Sequence, residues 1–220
     1  MNGGKARVPG AAKMARRVSR LNSIQGEVRW PVYPPSRDKC TQAPAGAMLG
    51  PVTDPALVIR PAEPGDRDAI WGIIEPVIRA GETYTLPREM TRSEALDYWF
   101  APANEVFVAD LGGEVSATYF LRANQRGGGD HVSNCGYMTA QNASGRGLAR
   151  AMCAHSLERA RQRGFRAMQF NFVVSTNLRA VRLWQSFGFE IVGRLPGAFH
   201  HPAAGDVDAL VMYRPLTGGF

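Results

Sequence analysis

Two periodicities alternate along this chain, and the points where one gives way to the other predict its elements. The short apolar run Ala56-Leu57-Val58-Ile59-Arg60 ends against Pro61 and reads as a first strand. Pro64-Gly65-Asp66 then opens a helix, with Asp66 or Asp68 favoured by the dipole at its first turn. Ile70, Ile73, Ile74 and Val77 recur at helical spacing through it, and Gly81 marks its stop. The loop Glu82–Pro87 leads to Thr91-Arg92-Ser93-Glu94, a capping box that starts a second helix running to about Phe100. Period 2 takes over in Glu105–Leu111 and Glu114–Leu121, and Gly112-Gly113 between them predicts a hairpin. A Gly-rich turn, Arg126–Asp130, precedes the next strand, His131–Ala140. The loop Gln141–Gly145 feeds a helix from Arg146 to about Arg163, with Leu148, Ala149, Met152, Cys153, Leu157 and Ala160 on one apolar stripe and Gly164 as its stop. Phe165–Val174 is a strand too apolar for a sheet edge. Asn177 opens a short helix, Leu178–Ser186, which Gly188 closes. Two further strands, Phe189–Gly193 and Asp206–Arg214, complete a mixed α/β domain over residues 55–220 built around one sheet.

Composition changes this picture mainly at the N-terminus. The chain has 220 residues and a formal net charge of +7. Residues 1–40 hold nine bases against two acids, while residues 41–220 hold 17 of each. The basic character therefore belongs to the first segment, and a nucleic-acid function for the whole protein loses its main support. Residues 1–54, rich in Gly, Pro, Ala and Arg and without either period, read as a flexible basic arm. Three accounts of it stay open: a solubilising tail, an arm touching nucleic acid or anionic lipid, or residues upstream of a start at Met48. No run of about 18 apolar residues predicts a membrane span, and the first thirty residues show no signal-peptide pattern. Cys40, Cys135 and Cys153 form no CxxC pair and no metal-ligand spacing, so reduced thiols and a cytoplasmic location are expected.

The segment richest in chemistry is Gln141-Asn142-Ala143-Ser144-Gly145-Arg146-Gly147-Leu148-Ala149-Arg150. A strand enters, small residues turn, and a helix leaves with its first N–H groups unpaired at the positive end of the dipole. Glycines let a phosphate approach that backbone closely, which makes the segment a candidate anion cradle. It is not a P-loop, because no Lys occurs beyond Lys39. It is not a dinucleotide fingerprint either, because Arg150 stands where the third Gly belongs.

About thirty residues on comes Asn177-Leu178-Arg179-Ala180-Val181-Arg182-Leu183-Trp184-Gln185-Ser186-Phe187-Gly188-Phe189. The pattern Asn-x-x-Ala-x-x-Leu-aromatic-x-x-x-Gly-Phe, following Gly147-Leu148-Ala149, resembles the GNAT superfamily of acyl-CoA-dependent N-acetyltransferases over about residues 57–214. The resemblance implies a GNAT fold: a mixed central sheet, flanked by helices and splayed between its fourth and fifth strands. Acetyl-CoA would lie in the opening as co-substrate, with no metal. Backbone groups of Tyr137, Met138 and Thr139 would bond its pantetheine, the N–H groups of Gly145, Arg146, Gly147, Leu148, Ala149 and Arg150 its pyrophosphate, and Asn177 its pantetheine arm. Two positions depart from the family pattern. Ser144 stands where Gln or Arg is usual, and Trp184 where many members have a Tyr that protonates the leaving thiolate. An indole N–H is no usable acid at neutral pH, so Trp184 reads as packing.

A narrower resemblance rests on Asn134-Cys135-Gly136-Tyr137, Phe170–Asn177, Gly193-Arg194-Leu195-Pro196 and Val207-Asp208-Ala209, which look like the yeast-type azetidine-2-carboxylate acetyltransferases. It implies a substrate nitrogen placed by Asn134 and a substrate carboxylate held near Asn171 and Phe172, with Asn134 and Asn171 as the catalytic pair. By position in the family, Glu82 is the carboxylate best placed as base, and Tyr84 would line the acceptor pocket. The acceptor is then a small-molecule amine, an amino or imino acid, with no nucleic-acid or membrane partner. A homodimer stays open, since many relatives pair. A protein N-terminal acetyltransferase and a non-catalytic acyl-CoA sensor remain as rivals. His200-His201 with Asp206 and Asp208 lack any recurring ligand spacing. His155 reads as a half-buried helix residue, and a Cys135 acyl-enzyme is not needed for direct attack by an amine.

Overall fold

The computed structural model describes residues 57–217, so the basic arm and Met48 lie outside the described residues. Strand β1 (Leu57–Pro61) is followed by a 3-10 turn at Pro64–Asp66 and helix α1 (Arg67–Ala80), which ends at Gly81 with φ 64°. Helix α2 (Arg92–Trp99) starts at the expected capping box: Thr91 Oγ1 accepts from the Glu94 N–H, and the Thr91 N–H donates to Glu94 Oε2 at 2.8 Å. The expected hairpin is β2 (Glu105–Leu111) and β3 (Glu114–Ala123), and β4 (Val132–Thr139) follows. Then come α3 (Leu148–Gln162), β5 (Ala167–Val174), α4 (Leu178–Ser186), β6 (Glu190–His201) and β7 (Gly205–Pro215). These strands make one seven-stranded sheet in the order β1-β2-β3-β4-β5-β7-β6.

Several boundaries shift by a residue or two from the sequence expectation, and two of the differences have a clear cause. Helix α3 begins at Leu148 rather than Arg146, because Gly145 and Gly147 sit at φ 83° and 79°, a conformation no helix interior accepts. Strand β6 reaches His201 rather than stopping at Gly193. Pro196 and Gly197 do not end it. Its pairing with β7 skips a register between Leu195 and Phe199, and the strand resumes with Phe199 opposite Val207.

All neighbouring strands pair antiparallel except β4 and β5. That parallel pair is registered only at Val132↔Ala167 and Ser133↔Met168, after which the two strands part. The sheet is thus splayed between its fourth and fifth strands. Each of its faces carries its own core. On one, α3 and α4 pack Leu148, Met152, Leu157 and Trp184 against Tyr119, Met168, Phe170 and Met212. On the other, α1 and α2 pack Ile70, Ile74, Ile78 and Trp99 against Val108, Phe120 and Met138. Burying each α1 isoleucine contributes about 1.5–3 kcal/mol. Val77, expected on that stripe, is only half-buried, and Ile78 takes its place in the core. The Trp99 indole N–H donates to the buried Thr118 hydroxyl at 3.0 Å, which in turn donates to the Phe107 carbonyl at 2.9 Å. This second core is therefore tied to the sheet by direction as well as by area.

At the edge of the sheet, Asp66 is buried and accepts from Arg60 at 2.7 and 2.9 Å and from the Glu63 N–H at 2.7 Å. The Arg60 hydrogen bonds, aided by the Glu63 N–H, hold its carboxyl below the usual carboxylate range. Its ionised form therefore stabilises the fold above the unfolded-state pKa of about 3.9, and that contribution fades as pH falls through the lowered folded-state value. Asp66→Asn should lower unfolding free energy by about 2 kcal/mol at pH 7. In urea titrations the gap between wild type and variant should close below about pH 4; a gap that is constant with pH would contradict this account.

Candidate functional site

The parting of β4 from β5 leaves main-chain groups to be accounted for. Two hydrogen bonds bracket the β3–β4 pairing, Asn124 N–H to Val132 C=O at 2.8 Å and Ala140 N–H to Ser116 C=O at 2.9 Å. Between them the register runs unbroken from Ala117↔Thr139 to Ala123↔Ser133. The even-numbered residues of β4 therefore direct their main chain at β3, and Cys135, Tyr137 and Thr139 direct theirs into the opening. This corrects the expectation for Met138: its N–H and C=O face Thr118, and its side chain is buried in the α1–α2 core. Tyr137 and Thr139 turn their main chain to the opening, and Cys135 does the same.

Two side chains hold the mouth of the opening together. Ser133 Oγ donates to the Ala167 carbonyl at 3.0 Å, and Asn134 Nδ2 donates to the Gln169 carbonyl at 2.8 Å. The Asn134 amide nitrogen is thus engaged with β5. Its Oδ1 has no hydrogen-bond partner among the described residues and is not closed off from solvent. Asn171 is exposed, accepts from Gln169 Nε2 at 2.8 Å and donates to Asn124 Oδ1 at 2.6 Å. A chain of amides therefore crosses from β5 back to the end of β3.

Beyond these, the opening widens into a cleft of about 420 Å³. Its walls include Tyr84, Phe120, Arg122, Asn134, Cys135, Gly136, Tyr137, Met138 and Thr139 on one side, and Phe170, Asn171, Phe172, Asn177 and Trp184 on the other. Among the described residues no Asp, Glu or His lines it. The Tyr84 hydroxyl donates to the Tyr137 carbonyl at 2.9 Å, and burial pushes its pKa up, so it stays a neutral donor. Burial likewise pushes the Cys135 thiol up to about 12, which keeps it protonated and a poor nucleophile. Trp184 lies 4.9 Å from the Tyr137 ring and 5.0 Å from Phe170, centroid to centroid, and serves as packing. Phe172 is half-buried and meets Phe199 edge-on at 6.2 Å.

Glu82 requires a correction. It is exposed and lines a neighbouring recess of about 260 Å³ with Arg179 and His201, outside the cleft. The loop after α1 turns Tyr84, not Glu82, inward. The His200–Asp206 pair is exposed at 2.8 Å, while Asp208 accepts from the Gly197 N–H and Arg194. Among the described residues no group of three His, Cys, Asp or Glu comes together to hold a metal. His155 is half-buried on α3 and meets the Tyr119 hydroxyl at 2.6 Å.

Next to the cleft, the start of α3 presents an anion cradle. The N–H groups from Gly145 to Arg150 have no acceptor among the described residues, and the first helical acceptor bond is Ala151 N–H to Gly147 C=O at 3.0 Å. No atom stands within 4 Å of where a Cβ would project from Gly145 or Gly147. Donors at the positive end of a helix facing open space fit the diphosphate of a nucleotide-borne cofactor. At the far end of the cleft, Asn177 caps α4, its Oδ1 accepting from the Ala180 N–H at 3.2 Å. The Asn177 amide N–H₂ has no acceptor among the described residues, and the residue lines both the cleft and the neighbouring recess.

Arg122 and Gly136 were not read from the sequence. The signal was there: counted across the turn, the alternation of Thr118, Phe120 and Arg122 puts Arg122 opposite Asn134. Gly136 matters through what a side chain would meet. A Cβ there would lie 2.6 Å from the Phe120 ring and 3.3 Å from the Tyr84 hydroxyl.

The model of the acetyltransferase (GNAT) family matches residues 74–189 of this chain. A GCN5-related N-acetyltransferase from Kribbella flavida is 42% identical in sequence, with a TM-score of 0.71 over 73% of this chain and 98% of that one. N-acetyltransferase aca1 of Schizosaccharomyces pombe is 27% identical over 137 residues, 55% of this chain and 66% of its own length, just under two thirds. A GNAT superfamily phosphinothricin acetyltransferase from Sinorhizobium meliloti, in complex with AcCoA, shares the fold at 20% identity, with a TM-score of 0.67 over 74% of this chain and 90% of that one. Gly136→Val should force Phe120 and Tyr84 aside and close the cleft between them. The expected result is at least a hundredfold loss of kcat/KM with a melting temperature lowered by several degrees; full activity would show that neither ring needs its present place.

Proposed function

The chain belongs to the GNAT family of acetyltransferases; we propose that it transfers an acetyl group from acetyl-CoA to the amine of a small amino or imino acid. The observation that supports this reading is the cleft itself. It holds about 420 Å³, enough for a reacting thioester end and a small amine, and three amide side chains, Asn134, Asn171 and Asn177, are part of its polar lining. Asn134 Oδ1 would accept an N–H of the acceptor and aim the nitrogen's lone pair, while Asn171 and Phe172 would border the rest of the molecule.

Acetyl-CoA supplies the activated acyl group when bound. The residues that would hold it are the α3 start from Gly145 to Arg150, the main chain of Tyr137 and Thr139 in place of a missing strand, and the Asn177 amide. The chain's main contribution to rate is alignment in a ternary complex, which alone is worth orders of magnitude. A β4 N–H facing the opening would polarise the thioester carbonyl. As the N–C bond forms the C–S bond breaks, and the amine proton leaves to water, since no Asp, Glu or His among the described residues lines the cleft. A thiol with a pKa of about 8.5 departs without a side-chain acid.

Release of free thiol from acetyl-CoA, measured with azetidine-2-carboxylate, proline, the standard amino acids and short peptides, tests the acceptor class. Turnover with the amino or imino acids is expected. Turnover with peptides alone would make the chain a protein N-terminal acetyltransferase, and tight acetyl-CoA binding without turnover would make it a sensor. Gly147→Asp places a carboxylate in the cradle on a backbone at φ 79°, and should weaken acetyl-CoA binding at least hundredfold by calorimetry. With no enzyme base in the cleft, kcat/KM should rise about tenfold per pH unit up to the acceptor amine's own pKa. The inflection should move when the acceptor is changed; a fixed inflection would reveal a titrating side chain. Cys135→Ala should keep most of the turnover, as a direct transfer requires.

A further inference from the structure

We propose that Arg122 is the carboxylate-binding residue of this cleft, so that the acceptor is an amine bearing a carboxylate about one carbon from its nitrogen. The inference rests on the reading of the chain as a small-amine acetyltransferase and moves the acceptor's carboxylate from Asn171 and Phe172, where the resemblance put it, to Arg122.

Four observations converge on it. Among the described residues Arg122 is the only charged one lining the cleft. Its guanidinium makes no hydrogen bond and no ion pair with the described residues, whereas Arg60, Arg92, Arg159 and Arg194 all meet carboxylates. It is half-buried, and its Cζ stands 5.4 Å over the Phe120 ring, which is itself part of the cleft wall. An arginine lying on an aromatic face keeps its N–H fork free in its own plane, where it matches the two oxygens of a carboxylate.

The fourth observation is register. Arg122 and Asn134 are directly opposed on β3 and β4, and that pair is of the hydrogen-bonded kind. Their Cα atoms are then about 5.5 Å apart with both side chains on one face. An α-amino or α-imino acid carries its nitrogen and carboxylate at a separation such neighbours can span. Asn134 Oδ1 would take the N–H and Arg122 the carboxylate, and Gly136, one step further along the same face, leaves room for the substrate's carbon frame. The absence of Asp and Glu from the cleft lining fits an acidic acceptor, since a carboxylate there would repel it.

Two pairs of acceptors that differ by the carboxylate alone make the test: proline against pyrrolidine, and azetidine-2-carboxylate against azetidine. Each is assayed by thiol release with the full chain, Arg122→Gln and Arg122→Lys. Wild type should prefer the carboxylated member of each pair at least hundredfold in kcat/KM. Arg122→Gln should lower that preference at least tenfold, mainly through KM, with acetyl-CoA affinity within twofold of wild type. Arg122→Lys should fall between them, and it carries the test if the glutamine variant does not fold. A preference retained in both variants overturns the role of Arg122 and leaves the small-amine reading standing. Equal turnover of both members of a pair by wild type does the same. No turnover of any of the four, with acetyl-CoA bound, overturns the small-amine reading and this inference together.

Discussion

A parallel pair of strands that stops pairing after two residues is the constraint on which the rest of this protein turns. Main-chain N–H and C=O groups removed from water need partners, and in a sheet the next strand provides them. Here β5 has moved away from β4 after Ser133↔Met168, so Tyr137 and Thr139 face a gap. The structure contains the consequences locally. The Ser133 hydroxyl and the Asn134 amide bind β5 carbonyls at the point of divergence, and the Tyr84 hydroxyl reaches over to the Tyr137 carbonyl. What remains is a strand-shaped vacancy of hydrogen-bonding groups, which a linear amide-containing molecule can complete.

The two faces of the sheet give that vacancy different neighbours. Toward α3 and α4 it meets a dense aromatic wall, Tyr137 against Trp184 and Phe170 against Phe189 at 4.3 Å. That wall cannot yield without opening the larger core. Toward α1 and α2 it meets Asn134, Gly136, Phe120 and Arg122, set among polar groups and open space. One side is built for rigidity, the other for recognition. On the recognition side, the Gly136 approach to Phe120 lets an aromatic of the α1–α2 core serve also as cleft wall.

Much of this was legible in the residues. The capping box at Thr91, the Gly112-Gly113 hairpin and the α3 stripe depend on neighbours a few positions apart, and local rules read them correctly. The misreadings share a different origin. Pro196 and Gly197 look like a loop until the long pairing with β7 shows that a strand absorbs them at a skipped register. Met138 sits between two residues that face the opening, yet strand parity turns its main chain the other way. Glu82 and Tyr84 lie two residues apart in a loop without periodicity, so nothing local says which one turns inward. Arg122 needed the β3–β4 register, which is a statement about residues twelve apart in sequence.

In the proposed assignment the donor would be met almost wholly by peptide groups, the strand edge at Tyr137 and Thr139 and the helix start at Gly145–Arg150. The acceptor would be met by side chains. A peptide group is the same whatever residue bears it, so substitution leaves the donor half unchanged as long as the turn glycines and strand parity survive. The proposed acceptor half enjoys no such insulation, and each replacement at Arg122, Asn134 or Asn171 would alter the side chains that line the cleft. Descendants of one ancestral chain can therefore diverge in acceptor while inheriting a common donor site, drifting along one wall of a cleft whose other wall is fixed by the fold.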